Sequence, residues 1–244
     1  MPRLSSSRTS QRFGRFCVGF VGFRLLAAAC LVGWTACAPA PDPLTQNAER
    51  GNAEAQYSLG WRYASQQAPP DYAAARKWYA RAADNGFAAA QNSLGVMYAK
   101  GQAVEMDYVA AAKWYRQAAE QGYVQAQYNL GVVYAAGKGV PQDFSEAALW
   151  YRRAAEQGYV QAQYNLGVVC ARGEGLKQDA VEAHKWLNLA ASNVNGARAE
   201  KYGAARDSVG ALLNPEELAQ AQSLARDWLP VAAVGASEEP ESAE

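Results

Sequence analysis

His184 is the only histidine in the 244 residues, so any proton relay or zinc site would have to be built around it. A metal would need further ligands at short fixed spacing, and none is placed to join it. No Ser-His-Asp or Cys-His set can be assembled around it either. The cysteines are Cys17, Cys30, Cys37 and Cys170, and Cys170 stands far from the other three. Gly137–Gly139 and Gly173–Gly175 carry a G-x-G spacing. They lack the strand-to-helix context of a phosphate loop and read as turns. The residue types point to no catalytic centre, metal or cofactor. His184 is expected to be a surface or half-buried structural residue.

The order in the chain lies elsewhere. Glycine opens four similar segments at Gly51, Gly86, Gly122 and Gly158, at spacings of 35, 36 and 36 residues. A fixed period of that size marks stacked helix pairs that bury a continuous core between neighbours. The copies span 51–85, 86–121, 122–157 and 158–193. Glu120–Val133 is identical to Glu156–Val169. A catalytic site is normally singular, so duplication of this kind suits repeated contacts.

Each copy splits into two helical patterns. In the third, helix A is expected over about Tyr123–Ala136, with Ala126, Leu130 and Tyr134 on one face. The loop AGKGVPQ follows, and Pro141 prevents smooth continuation. Asp143 then caps helix B, with Glu146 three residues on as a capping box; Asp179 and Glu182 repeat the device, and Asp71 and Asp107 supply caps alone. Helix B buries Ala147, Trp150, Ala154 and Ala155. Helix A repeats alanine (55, 90, 126, 162), leucine (59, 94, 130, 166) and glycine (60, 95, 131, 167). A mid-helix glycine costs about 1 kcal/mol against alanine. Its recurrence implies close approach of helix B, whose tryptophans Trp78, Trp114, Trp150 and Trp186 need room. Gly131→Val is accordingly expected to destabilise the array.

The pattern A-Q-Y-x-L-G-x-x-Y, a G-x-G-V loop, Asp, then A-x-x-W-Y-x-x-A-A-x-x-G resembles the Sel1-like repeat family, kin of tetratricopeptide repeats. It covers Gly51–Asn193. The resemblance implies an all-α, right-handed α-solenoid acting as a binding scaffold. The first copy departs from the pattern with QQAPP in place of the glycine loop. The fourth has Cys170 where the others have Tyr63, Tyr98 and Tyr134, and Leu187 where they have Tyr79, Tyr115 and Tyr151. Cys170 is expected to be a buried, inert small hydrophobe. Some exported members of the family staple each repeat with paired cysteines and have penicillin-binding or hydrolysing activity attributed to them. This chain lacks the pairs.

If helix A lines the concave side, as in related solenoids, the core series leaves three rows over. These are Tyr57, Asn92, Tyr128 and Tyr164; Ser58, Ser93, Asn129 and Asn165; and Trp61, Val96, Val132 and Val168, flanked by Gln125 and Gln161. Two readings stay open. The rows could grip a protein or an extended peptide, or the tyrosines and valines could pack between adjacent repeats.

The termini differ in character. Residues 1–37 hold five arginines and no acid, then an apolar run Leu25–Thr35, as in an export signal. Thr35-Ala36-Cys37 resembles a lipobox, with Cys37 the lipidated residue, although Trp34 departs from its usual aliphatic position. Plain cleavage after Ala38 and an uncleaved anchor are the other readings. Without this segment 18 basic residues face 23 acidic ones, a net of −5, which gives no electrostatic reason to seek nucleic acid. Residues 38–50 read as a proline-rich tether and a capping helix. Residues 194–230 read as C-terminal capping helices, with Asn214-Pro215-Glu216-Glu217 a strong helix start. Residues 231–244 carry no aromatic content and are expected to be disordered. The expected role is a non-enzymatic interaction scaffold of the bacterial cell envelope, in the periplasm or at the outer membrane, touching membrane only through the lipid. The alternatives are a cell-wall-fragment binder or β-lactamase-like hydrolase, and a spacer without a specific partner.

Overall fold

The computed structural model describes residues 42–231. The export signal with Cys37, the first part of the tether and nearly all of the acidic tail lie outside the described residues. Among the described residues the chain is all-helical, with eleven helices: α1 (Pro43–Glu49), α2 (Ala53–Ser65), α3 (Tyr72–Asp84), α4 (Ala88–Lys100), α5 (Tyr108–Glu120), α6 (Val124–Ala136), α7 (Phe144–Glu156), α8 (Val160–Arg172), α9 (Ala180–Ser192), α10 (Gly196–Gly210) and α11 (Pro215–Arg226). Helix A of the four copies is α2, α4, α6 and α8; helix B is α3, α5, α7 and α9. Up to α10 each helix packs chiefly on the one before it and the one after it, the arrangement of a solenoid.

The punctuation is local. Asp71, Asp107, Asp143 and Asp179 each cap a helix B through a side-chain oxygen. Gly101, Gly137 and Gly173 end helix A in the left-handed region, at φ of 67°, 63° and 69°. The reciprocal half of the capping boxes expected at Asp143 and Asp179 does not form. The Asp143 and Asp179 N–H groups already donate to the Tyr134 and Cys170 carbonyls. Glu146 and Glu182 instead accept from the indole N–H of Trp150 and Trp186, at 3.2 and 3.1 Å. The complete capping box belongs to Asn214 and Glu217 at the start of α11.

The mid-helix glycines do mark close approach, but the tryptophans are not what they admit. A Cβ at Gly60, Gly95 or Gly131 would lie 2.5–2.8 Å from ring carbons of Tyr79, Tyr115 or Tyr151, and one at Gly167 would lie 2.7 Å from Leu187. Consecutive residues on a helix point about 100° apart, so the residue after each tryptophan faces helix A. The tryptophans fill the neighbouring angle, Trp78, Trp150 and Trp186 buried and Trp114 half-buried. Arg81, Arg153 and Lys185 lie over the first, third and fourth of them.

One glutamine per copy links the helices. Gln56, Gln91, Gln127 and Gln163 are buried, and each donates to a carbonyl at the end of the preceding helix, Ala48, Ala83, Ala119 and Ala155. In the first three copies the glutamine oxygen accepts from Asn85, Gln121 and Gln157, which follow helix B. In the fourth, Asn193 turns to the Leu189 carbonyl instead and Gln163 Oε1 has no partner.

Both ends are closed by helices outside the period. Helix α1 packs on α2 and buries Ala48. Helices α10 and α11 both pack on α9. The chain beyond α11 turns back along the array: Trp228 meets Trp186 edge-on at 6.1 Å, and Val231 N–H donates to the Glu156 carbonyl at 2.8 Å. No helix among the described residues is long and apolar enough to cross a membrane.

The helix-A face as candidate binding surface

The alanine and leucine series of helix A are buried throughout, with Leu59, Leu130 and Leu166 at 0% exposure. This turns the remaining rows toward the outside of α2, α4, α6 and α8. They differ in how far they are already committed.

The aromatic row bridges copies. Tyr57 is half-buried, its ring 5.6 Å from Tyr79 of its own copy and 5.3 Å from Phe87 at the entry to α4. Tyr128 repeats the arrangement, 6.1 Å from Tyr151 and 5.1 Å from Tyr159. In the last copy there is no next entry aromatic. Tyr202 of α10 takes its place and stacks on Tyr164 at 4.2 Å, with Lys201 Nζ 5.1 Å from the same ring. Burial pushes the Tyr128 hydroxyl above its usual range, with the nearby Asn165 amide pulling the other way.

The asparagine row also stitches. Asn129 Nδ2 donates to Asn92 Oδ1 at 2.9 Å, joining α6 to α4. The Asn165 amide lies near the Tyr128 and Tyr151 hydroxyls, where α8 meets α6 and α7. The structure therefore brings Asn92 together with Asn129, and Tyr128 with Asn165. Gln125 and Gln161 are half-buried beside them at the starts of α6 and α8.

The third row holds the one exposed member of the three, Val132. Val132 is 36% exposed, and Trp61, Val96 and Val168 are half-buried. Val132 is thus an apolar side chain in solvent, with a counterpart one repeat away on either side. The row carries no charge, and Lys100 and Arg172 mark the helix ends beyond it. An uncharged apolar ridge between amide groups suits contact with an extended segment through side chains and backbone.

Elsewhere, Cys170 is fully buried, and burial, reinforced by Glu182, pushes its thiol up to about 12, so it stays protonated. The missing tyrosine is felt by a neighbour. Arg116 bonds the Tyr134 hydroxyl, whereas Arg152, one copy on and facing Cys170's place, pairs with Glu182 at 2.5 Å. His184 is 4% exposed and so belongs to the core of the C-terminal cap rather than to the surface. It is buried because α10 and α11 close over α9, a packing that no repeat copy could have signalled. The buried glutamine row was the other feature not read from the sequence. Its signal was present: a polar residue held in all four copies, directly after a buried alanine.

Comparison with known proteins comes down to the repeats. The family model described as Sel1 repeat matches residues 53–87, 88–123, 124–159 and 160–195. A protective antigen present in uropathogenic Escherichia coli strains and displaying an SLR fold has a similar crystal structure. It is 30% identical with a TM-score of 0.70 over 82% of this chain, and this chain spans 44% of its length. A Sel1 repeat protein from Oxalobacter formigenes is also 30% identical, with a TM-score of 0.63, covering 75% of this chain and 76% of its own. No curated protein matches the chain.

Proposed function

The chain belongs to the Sel1 repeat family, and from that premise we propose that it is a non-enzymatic scaffold that holds a protein or peptide along the Trp61–Val96–Val132–Val168 ridge. Sel1-repeat proteins generally serve as protein-interaction scaffolds. The observation that carries the reading to this face is Val132, solvent-exposed at 36% between neighbours already tied into inter-repeat contacts. The tyrosine and asparagine rows frame the ridge: they set the spacing between copies at which the valines are presented. Tyr57, Tyr128 and Tyr164 therefore act through position, and removing them would disturb packing as well as contact.

Val132→Asp is the cleaner probe. It should leave helical content and melting nearly unchanged, because Val132 is exposed and surface substitutions usually stay within about 0.5 kcal/mol. Partner binding should fall at least about tenfold, since desolvating an unpaired carboxylate in an apolar contact costs more than 1.4 kcal/mol. Unchanged affinity for a purified partner would move the site off this face.

The proposal places the scaffold in the bacterial cell envelope, tethered by a lipid on Cys37. The support is the basic, then apolar, then Thr35-Ala36-Cys37 order of the N-terminal segment. Palmitate labelling of the expressed chain should be lost in Cys37→Ala; labelling that survives would exclude that anchor.

A further inference from the structure

The C-terminal cap is built around His184. The ring lies where α9, α10 and α11 meet, beside a cavity of about 430 Å³ lined also by Asn188, Arg206, Asp207, Gly210, Ala211, Leu218 and Gln222. It is 4% exposed, and no protein group bonds Nδ1. The backbone of α10 comes flush against it: a Cβ on Gly210 would lie 3.3 Å from Cδ2 and 3.4 Å from Nε2. The charged groups facing the ring are Arg206 and Asp207, both on α10. Arg206 is itself engaged with Asp207, Nε to Oδ1 at 2.8 Å. From α11 the cavity receives Leu218 and Gln222, and from α9 Asn188, none of them charged.

We propose that this joint is an acid-sensitive latch: a neutral His184 lets α10 and α11 dock on the fourth repeat, and its protonation releases them and uncovers Tyr164. A protonated ring would place a second N–H donor in the interior with no acceptor, beside a guanidinium. Both features disfavour the charged form. Burial first, and Arg206 second, hold the imidazole below its ordinary value, with Asp207 opposing. The sign follows. The released cap takes up a proton near the unperturbed histidine value of about 6.5, while the docked cap resists it, so docking is at full strength above that pH and is lost as pH falls through it. No other histidine competes for the effect. What is released matters to the helix-A face, because Tyr202 and Lys201 of α10 sit on Tyr164. The latch needs no partner, so it stands or falls separately from the binding ridge.

Hydrogen exchange of the full chain tests it, with rates corrected for the intrinsic pH dependence of exchange. Between pH 7.5 and 5.0 the opening of α10 and α11 should rise relative to α4–α7. The ceiling is about 30-fold, reached if the docked ring refuses the proton altogether. In His184→Gln the rise should vanish. Opening of α10 and α11 that tracks α4–α7, or that persists in His184→Gln, overturns the latch. Should His184→Gln fail to dock its cap at pH 7.5, the NMR titration of the single histidine in the unaltered chain decides. A midpoint clearly below the ordinary histidine range supports the latch, and one at or above that range overturns it.

Discussion

Gly139→Ala is expected to cost the array about 2–5 kcal/mol, adding the penalty for a left-handed non-glycine residue to that of an overpacked contact. Gly139 has φ of +72°, and a Cβ built there would stand 2.2 Å from the Tyr108 carbonyl carbon and 2.3 Å from its oxygen. The obstacle is backbone of the preceding copy, at the start of α5, so no side-chain rotation can relieve it. Gly175 makes the same contact with Phe144 and Ser145 one copy later, where Ser145 Oγ also donates to the Gly175 carbonyl at 2.8 Å. The chain supplies its own control. Ala103 occupies the corresponding place in the second copy with φ of +54°, so the left-handed dihedral alone does not bar an alanine. Urea unfolding followed by circular dichroism should show a large loss for Gly139→Ala. For Ala103→Gly it should show a small change or a gain. A loss under about 1 kcal/mol for Gly139→Ala would mean that adjacent copies are not in backbone contact there. Because solenoid repeats are coupled through nearest-neighbour interfaces, the loss can also appear as a transition split between the two sides of the array.

Gly131→Val should lower stability by about 3 kcal/mol, at the upper end for overpacking. The added Cβ would meet Tyr151 Cδ1 and Cε1 at 2.7 Å and the Ala147 carbonyl oxygen at 3.3 Å. Tyr151 is 4% exposed and packed from α7 onto α6, so the ring has little room to retreat. A double-mutant cycle separates this from helix propensity. In a Tyr151→Ala background the same valine should cost far less, because the ring it collides with is gone. Equal costs in both backgrounds would show that the tyrosine is not the reason for the glycine.

The repeat period, the aspartate caps, the glycine stops and the buried alanine and leucine rows could be read directly from the sequence, since each depends on residues a few positions apart. Where the reading went astray, a distant group had intervened. Glu146 was expected to bond the Asp143 N–H, but that N–H is taken by the Tyr134 carbonyl nine residues earlier, which leaves the carboxylate for Trp150. The glycine row points to a bulky neighbour, and the expected Trp150 is not it: Tyr151 faces Gly131, which depends on the rotation of α7 about its own axis. The site rows were visible as rows; their burial was not. Tyr128 is half-buried because Tyr159 of the next copy lies 5.1 Å away, a distance set by stacking. The fold of the cap around His184 had no template, because α10 and α11 follow no period.

The account rests on the helix-A ridge as the place where a partner sits, and site-specific photocrosslinking tests that most directly. A photoreactive residue at Val132 is compared with one at Leu149, which is 42% exposed on helix B of the same copy. The account predicts one discrete adduct of defined mass from position 132, competed away by unlabelled protein, and none from position 149. The same adduct from both positions, or from 149 alone, would contradict it.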